Sequence, residues 1–292
     1  MKDIKYLTAS NPNDSFVILG NEDEICILSL SKRELIAQFD FGLEISSSIV
    51  SDGKGENLFL FSWDGGIDRF NVVSKEKVWS NTKSKKSSDM SYINRLQKLG
   101  VTLQSGRFAL IDPDSGDISN IDKKYQNVFH HPQLDLEVMF DGLNKELILI
   151  NKTFSKTIAW PSFDILCHTF SSEFGLFGSP QGDLLFIRLS NGEVIGSFKD
   201  DRIFNFLTIH YVKEDNKFYG VSSDFNDEYL SVLVEISPDG RQHEPIATFE
   251  PAKYSDFVNI NGSQYLVTMN GDLINAATGE FVEKDIFNKI LN

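Results

Sequence analysis

Cysteine, histidine, basic residues and long apolar runs are all scarce in this chain. Two cysteines, Cys26 and Cys167, among 292 residues give no disulfide framework, no CxxC pair and no zinc spacing. Each sits in an apolar strand-like run, ICILSL or ILCHTF, where a free thiol packs as a small hydrophobe. No apolar stretch approaches the roughly 18–20 residues of a membrane-spanning helix. Met1 to Tyr6 lacks the apolar region and small-residue cleavage pattern of a secretion signal, so the expected location is cytoplasmic. Lysine and arginine number 28 against 42 aspartates and glutamates, a formal charge of −14. So acidic a surface repels phosphate backbones and anionic lipid. Nucleic acid and membranes are therefore not expected as partners, and basic protein surfaces are favoured. Also missing are GxSxG, GxxxxGK[ST], HExxH and GxGxxG. The carboxylates lie scattered over turns, and no acid–base pair stands out among them.

What the chain does have is hydrophobic content, aromatic rings and repetition. Hydrophobic residues make up 41%, enough for a sizeable core. The stretch Trp63–Trp79, WDGGIDRFNVVSKEKVW, reads as turn, strand, turn, strand. Asp64-Gly65-Gly66 and Ser74-Lys75-Glu76 supply the reversals. The phrase returns in degraded form about every 40 residues, a spacing typical of repeat architectures. The matching apolar positions are Ile25, Ile67, Phe108, Leu147, Leu184, Leu230 and Leu273. Each unit carries four strand-like runs. Turn clusters such as Asp114-Ser115-Gly116, Ser190-Asn191-Gly192, Ser237-Pro238-Asp239-Gly240 and Ala277-Thr278-Gly279 fall between the third and fourth. Apolar spacing of helical type occurs at Asp285–Leu291, too short to alter an all-β class.

On SWDGGIDRFNVVSKEKVW, SGRFALIDPDSGDI, PQGDLLFIRLSNGEVIGSF and MNGDLINAATGEFV, the chain resembles the seven-bladed β-propellers of the WD40-like or quinoprotein-like group. The resemblance implies one propeller domain over 1–292, built of four-stranded antiparallel blades. Their approximate bounds are 4–40, 45–80, 90–122, 126–161, 164–199, 204–250 and 254–287. The Gly-His and Trp-Asp dipeptides at the usual WD40 positions are absent, so neither the hydrogen-bond network of those blades nor the quinone-binding residues of dehydrogenases transfers. A four-stranded blade is apolar on both faces and needs neighbours on each side. Closure is expected by packing of blades one and seven, with exchange of Tyr6–Ala9 onto the Phe281 strand as the alternative.

Three groups of residues are candidates for function. The polar joint Ser80–Met90 carries Lys83, Lys85 and Lys86, read either as a solvated loop or as a basic docking finger on an acidic body. Trp63, Trp79 and Trp160 stand beside strand ends, as structural wedges or, for a ring exposed at a rim such as Trp63, as a binding anchor. His130, His168 and His210 fall in the first strands of units four to six. First strands line the channel of a propeller, where neighbouring imidazoles could share a divalent metal. Alternation could equally turn them into the blades. The expected function is a non-enzymatic protein-interaction scaffold, without a cofactor, acting as a monomer or a subunit of a complex. The alternative is a metal-dependent hydrolase or lyase with its site in the channel.

Overall fold

A computed structural model describes residues 4, 6–9, 15–21, 23–40, 48–52, 56–62, 66–84, 87–93, 96–103, 107–124, 127–131, 133–199, 203–224, 230–240, 242–250 and 255–292. Among the described residues, twenty-eight strands pair into seven four-stranded sheets, each in sequence order or its reverse. The fold class is that of a seven-bladed β-propeller. Among the described residues, no helix is long and apolar enough to cross a membrane.

The chain forms two compact units, Met1–Pro132 with Val258–Ser263 and Asp285–Asn292, and Gln133–Phe257 with Gln264–Lys284. The first unit holds three whole sheets. Their strands are Tyr6–Ala9, Phe16–Gly20, Glu24–Ser29 and Glu34–Asp40; then Ser48–Ser51, Asn57–Ser62, Gly66–Asn71 and Glu76–Asn81; then Ser87–Ile93, Lys98–Leu103, Arg107–Ile111 and Ile118–Lys124. Tyr6–Ala9 pairs with Phe16–Gly20, Tyr6 opposite Gly20. The exchange of this strand onto Phe281–Glu283 is not adopted, because both strands belong to different sheets. The expected helix is present as Ile286–Leu291. It packs against Glu34–Asp40, the outer strand of the first sheet, and buries Ile286 and Phe287. An outer strand with a covered edge is protected from pairing with foreign chains.

The second unit holds the fifth and sixth sheets complete. The fifth consists of Cys167–Phe170, Phe174–Gly178, Leu184–Arg188 and Glu193–Phe198; the sixth of Ile203–Val212, Lys217–Asp224, Ser231–Ile236 and His243–Phe249. The fourth sheet is Asn127–His130, Leu136–Asp141, Glu146–Asn151 and Ser155–Ala159. The seventh is Ser255–Ile260, Ser263–Thr268, Leu273–Asn275 and Phe281–Glu283.

The turn between third and fourth strands explains the repeat visible in the sequence. Asn71, Asp112 and Asn275 each open such a turn, their side-chain oxygens accepting backbone N–H groups two and three residues on. This is the Asx-turn, which offers the backbone a local partner. The turn closes when the fourth residue on donates back to the opening carbonyl: Lys75 to Asn71 at 2.9 Å, Gly116 to Asp112 and Gly279 to Asn275 at 2.8 Å. A bulge then recurs where the fourth strand leaves, in the first, second, fifth, sixth and seventh sheets. Bulges sharpen the right-handed twist, so this hairpin sets the twist of each outer strand.

The polar joint at residues 80–90 differs from the expected loop. Strand four of the second sheet runs on to Asn81, a 3-10 turn covers Thr82–Ser84, and a strand begins at Ser87. Asn81 accounts for the turn that follows: its Oδ1 accepts the Lys83 N–H at 2.8 Å, and its Nδ2 donates to Gly116 O at 2.6 Å. The next strand needs few apolar residues, and buries Met90 and Ile93.

Candidate interaction surfaces

The three first-strand histidines are packed among aromatic rings. His130 lies 5.2 Å from the Phe108 ring. His168 stacks on Phe177 at 6.4 Å and meets the edge of Phe170 at 5.6 Å. His210 stacks on Phe257 at 5.6 Å. Burial away from water disfavours the imidazolium and pulls the pKa of His168 and of His210 down to about 4.

Register decides where these rings point. Cys167 and His168 are neighbours on one strand and face opposite ways. Cys167 joins Phe206, Phe218 and Val234 in the core between the fifth and sixth sheets, its thiol donating to Phe206 O at 3.3 Å. His168 therefore lies on the face of the fifth sheet turned from the sixth. In the sixth sheet, Phe206 and Ile209 join that same core, and register slips occur on either side of Phe206. His210 pairs with Tyr219, whose cluster contains Phe257, Leu266 and Ile274 of the seventh sheet. The structure thus turns His168 and His210 away from each other. Among the described residues, no group of three His, Cys, Asp or Glu side chains is placed to hold a metal ion.

The tryptophans that are described are anchored through their indole nitrogens. Trp79 donates its indole N–H to Pro113 O at 3.0 Å, and Trp160, buried at 2% exposure, donates to Asp164 O at 3.0 Å. Trp63, Lys85 and Lys86 lie outside the described residues. Lys83 is exposed in its 3-10 turn. Both thiols are buried and free. Burial raises each, Cys26 to about 11, so neither is a nucleophile near neutral pH.

Two features of the second unit are accessible. The first is an apolar projection on the fourth sheet. Asp141 accepts the N–H groups of Leu143 and Asn144, each at 3.1 Å, and the Asn144 amide at 2.8 Å. Those bonds, the Asn144 N–H foremost, hold the Asp141 carboxyl below its usual range. The turn so fixed leaves Leu143 96% exposed. In the segment Pro161–Leu166, Phe163 is 66% exposed, with the Lys145 ammonium 3.9 Å from its ring centre, a cation–π contact. The segment is rooted by Trp160, whose backbone N–H donates to Lys145 O at 2.8 Å. Periodicity did not flag Leu143 or Phe163, since both sit in turns; a large apolar residue inside a turn motif was the available signal.

The second feature is a cleft of about 580 Å³ between the turns of the fourth and fifth sheets. Leu134, Asp135, Lys152, Glu173, Arg188 and Leu189 line it. Lys152 pairs with Asp135 at 2.9 Å and Arg188 with Glu193 at 2.5 Å. Glu173 carries a charge felt at Tyr211, whose hydroxyl is raised by burial, then by Glu173 and Glu214.

The chain matches no protein-family model and no curated protein. It does resemble solved structures. U3-55K aligns at TM-score 0.70 and 12% identity over 91% of this chain and 87% of that one. Kluyveromyces lactis Hsv2 aligns at TM-score 0.67 and 11% identity over 94% of both chains. The computationally designed Ika8 protein aligns at TM-score 0.63 and 11% identity over 97% and 86%. At these identities the likeness is one of fold, and it sets the chain among the β-propellers. Similarity to a designed protein and to natural ones alike underlines that a fold does not by itself fix a function.

Proposed function

We propose that this chain is a non-enzymatic protein-interaction scaffold that contacts a partner through projecting turns. One observation carries the reading: Leu143 and Phe163 stand exposed on a base held rigid by Asp141 and Trp160. Pre-set apolar side chains on a rigid support lose little entropy on binding and act as anchors. Loops on a stiff scaffold are where binding residues concentrate. The acidic balance of the chain favours a partner of basic character, and a cytoplasmic setting fits the same reading. The exposed Lys83, with Lys85 and Lys86, forms a second contact in this proposal.

The test is capture of partners from native lysate with the wild-type chain, with Leu143→Asp/Phe163→Asp, and with Lys83, Lys85 and Lys86 changed to Gln. The reading expects a stoichiometric protein bound by wild type and lost with the double aspartate variant. Reconstitution from purified components should then reproduce the complex. A wild-type chain that retains no stoichiometric protein, while hydrolysing a substrate in a metal-dependent way, overturns it.

A further inference from the structure

The cleft of the second unit has a charge pattern that specifies an occupant. Four turns build it, two between first and second strands and two between third and fourth. Each wall is fixed by local bonds. Asn151 Oδ1 accepts the N–H groups of Thr153 and Phe154 at 2.7 and 2.9 Å. Ser171 Oγ accepts those of Glu173 and Phe174 at 3.2 and 2.9 Å. Leu189 N–H donates across to Glu173 O at 2.8 Å. The cleft is therefore formed before any ligand arrives, as small sites commonly are.

Its charges are nearly all satisfied from within. The Lys152 ammonium rests on Asp135 and the Arg188 guanidinium on Glu193. The Glu173 carboxylate is exposed, and among the described residues the two cations of the cleft pair with Asp135 and Glu193 rather than with it. The same cleft is lined by buried Leu136 and Leu189 and by Leu134, which is 40% exposed. Thr153, Ser172 and Ser190 complete the lining; the Thr153 hydroxyl donates to Asn151 Oδ1 at 2.8 Å and keeps its oxygen to accept a backbone N–H, while the serine hydroxyls suit either N–H or C=O groups of an extended backbone. The volume, about 580 Å³, falls in the range of small-ligand sites, roughly 300–1,000 Å³, and suits a few residues of chain.

We infer that this cleft holds a short extended peptide segment of a partner protein, with a Lys or Arg side chain on Glu173 and a neighbouring apolar side chain on Leu134. The net charge of −14 strengthens the choice of a basic ligand by steering it toward the surface. The inference deepens the scaffold reading and rests on it, at a site separate from Leu143 and Phe163.

The test titrates the isotope-labelled full chain with acetylated, amidated tetrapeptides Ala-Leu-Lys-Ala, Ala-Leu-Gln-Ala and Ala-Leu-Glu-Ala, following backbone amide shifts. The lysine peptide should shift amides at 134–136, 151–153, 171–173 and 188–190. The glutamine peptide should bind at least tenfold more weakly, and the glutamate peptide not at all. Glu173→Gln should weaken the lysine peptide about tenfold while the rest of the spectrum overlays wild type; Glu173→Lys should favour the glutamate peptide. Equal binding of the lysine and glutamine peptides, shifts outside those four turns, no localised shift, or indifference to Glu173→Gln each overturns the assignment. A flat titration beside a partner still lost with Leu143→Asp/Phe163→Asp removes the cleft and leaves the scaffold. A localised lysine-peptide response with no captured protein supports the cleft and counts against the projecting turns.

Discussion

Two joints between neighbouring sheets, one in each unit, solve the same packing problem with different chemistry. Between the second and third sheets, an apolar core around Phe59, Met90 and Val101 carries a polar clamp on its outer side. Arg69, its side chain 14% exposed, donates to Pro113 O at 2.8 Å, Asp114 Oδ1 at 3.1 Å and Asn57 Oδ1 at 3.0 Å. Trp79 donates to the same Pro113 carbonyl, and its ring lies 3.1 Å from where a Cβ on Gly116 would stand. Between the fifth and sixth sheets the corresponding place is filled by rings. Phe186 and Phe218 meet edge to face at 6.1 Å, inside a cluster with Phe206, Leu184 and Val234. Gly240, at φ 67°, covers Phe186 so closely that a Cβ would sit 2.2 Å from the ring. The polar clamp depends on ionised groups and direction; the aromatic joint depends on volume.

Volume should therefore break the second joint hardest. Phe186→Ala is expected to cost about 3–5 kcal/mol, the usual loss for a fully buried ring, read from the urea midpoint. Gly240→Ala should cost about 2–3 kcal/mol, since it adds a clash with Phe186 to an unfavourable positive φ; an unchanged midpoint would show that this turn does not seal the joint. Arg69→Ala should cost about 1.5–3 kcal/mol through lost charge-assisted bonds, and Arg69→Lys should recover part of it, because a lysine cannot span all three acceptors.

Acid should separate the units at different pH. His168 and His210 have folded pKa values depressed below 6.5, to about 4. The unfolded chain therefore binds protons first, and this contribution, full above about pH 6.5, is lost as the pH falls toward 4. Asp112 of the first unit is held at about 2 by the Lys98 ammonium, then by the Ser115 N–H. Its contribution is full above about pH 4 and is lost only as the pH falls toward 2. Hydrogen exchange followed from pH 7 to 3 should show protection falling first around 167–212, and later around 98–117. His168→Phe should flatten the upper phase by about one proton; simultaneous loss in both regions would sink this distinction. Leu143→Ser should be the mildest change, within about 0.5 kcal/mol, since the side chain touches solvent.

Much of the architecture was written in local pattern. Asn71, Asp112 and Asn275 with the residue four positions on define a turn by chemistry that needs no tertiary partner, and alternation marked the strands on either side. Gly240 and Gly116 were legible as turn residues, though not as the places where one sheet leans on the next. The strand Ser87–Ile93 was harder to read, because its polar opening resembles a loop and Asn81 finds Gly116 only after folding. The histidines show the same limit. Their positions in first strands were plain, but slips of register around Phe206 set the face of His210.

The sequence by itself determined the repeat, the hairpin turns, the all-β class and the acidic balance, because each depends on neighbours within a few residues or on simple composition. Tertiary structure alone decided which face each histidine presents, that Trp79 and Arg69 grip the turn at Pro113, and that Leu143, Phe163 and Glu173 stay accessible. Those outcomes depend on register and on contacts between residues tens of positions apart, where a shift of one residue reverses the face of a strand.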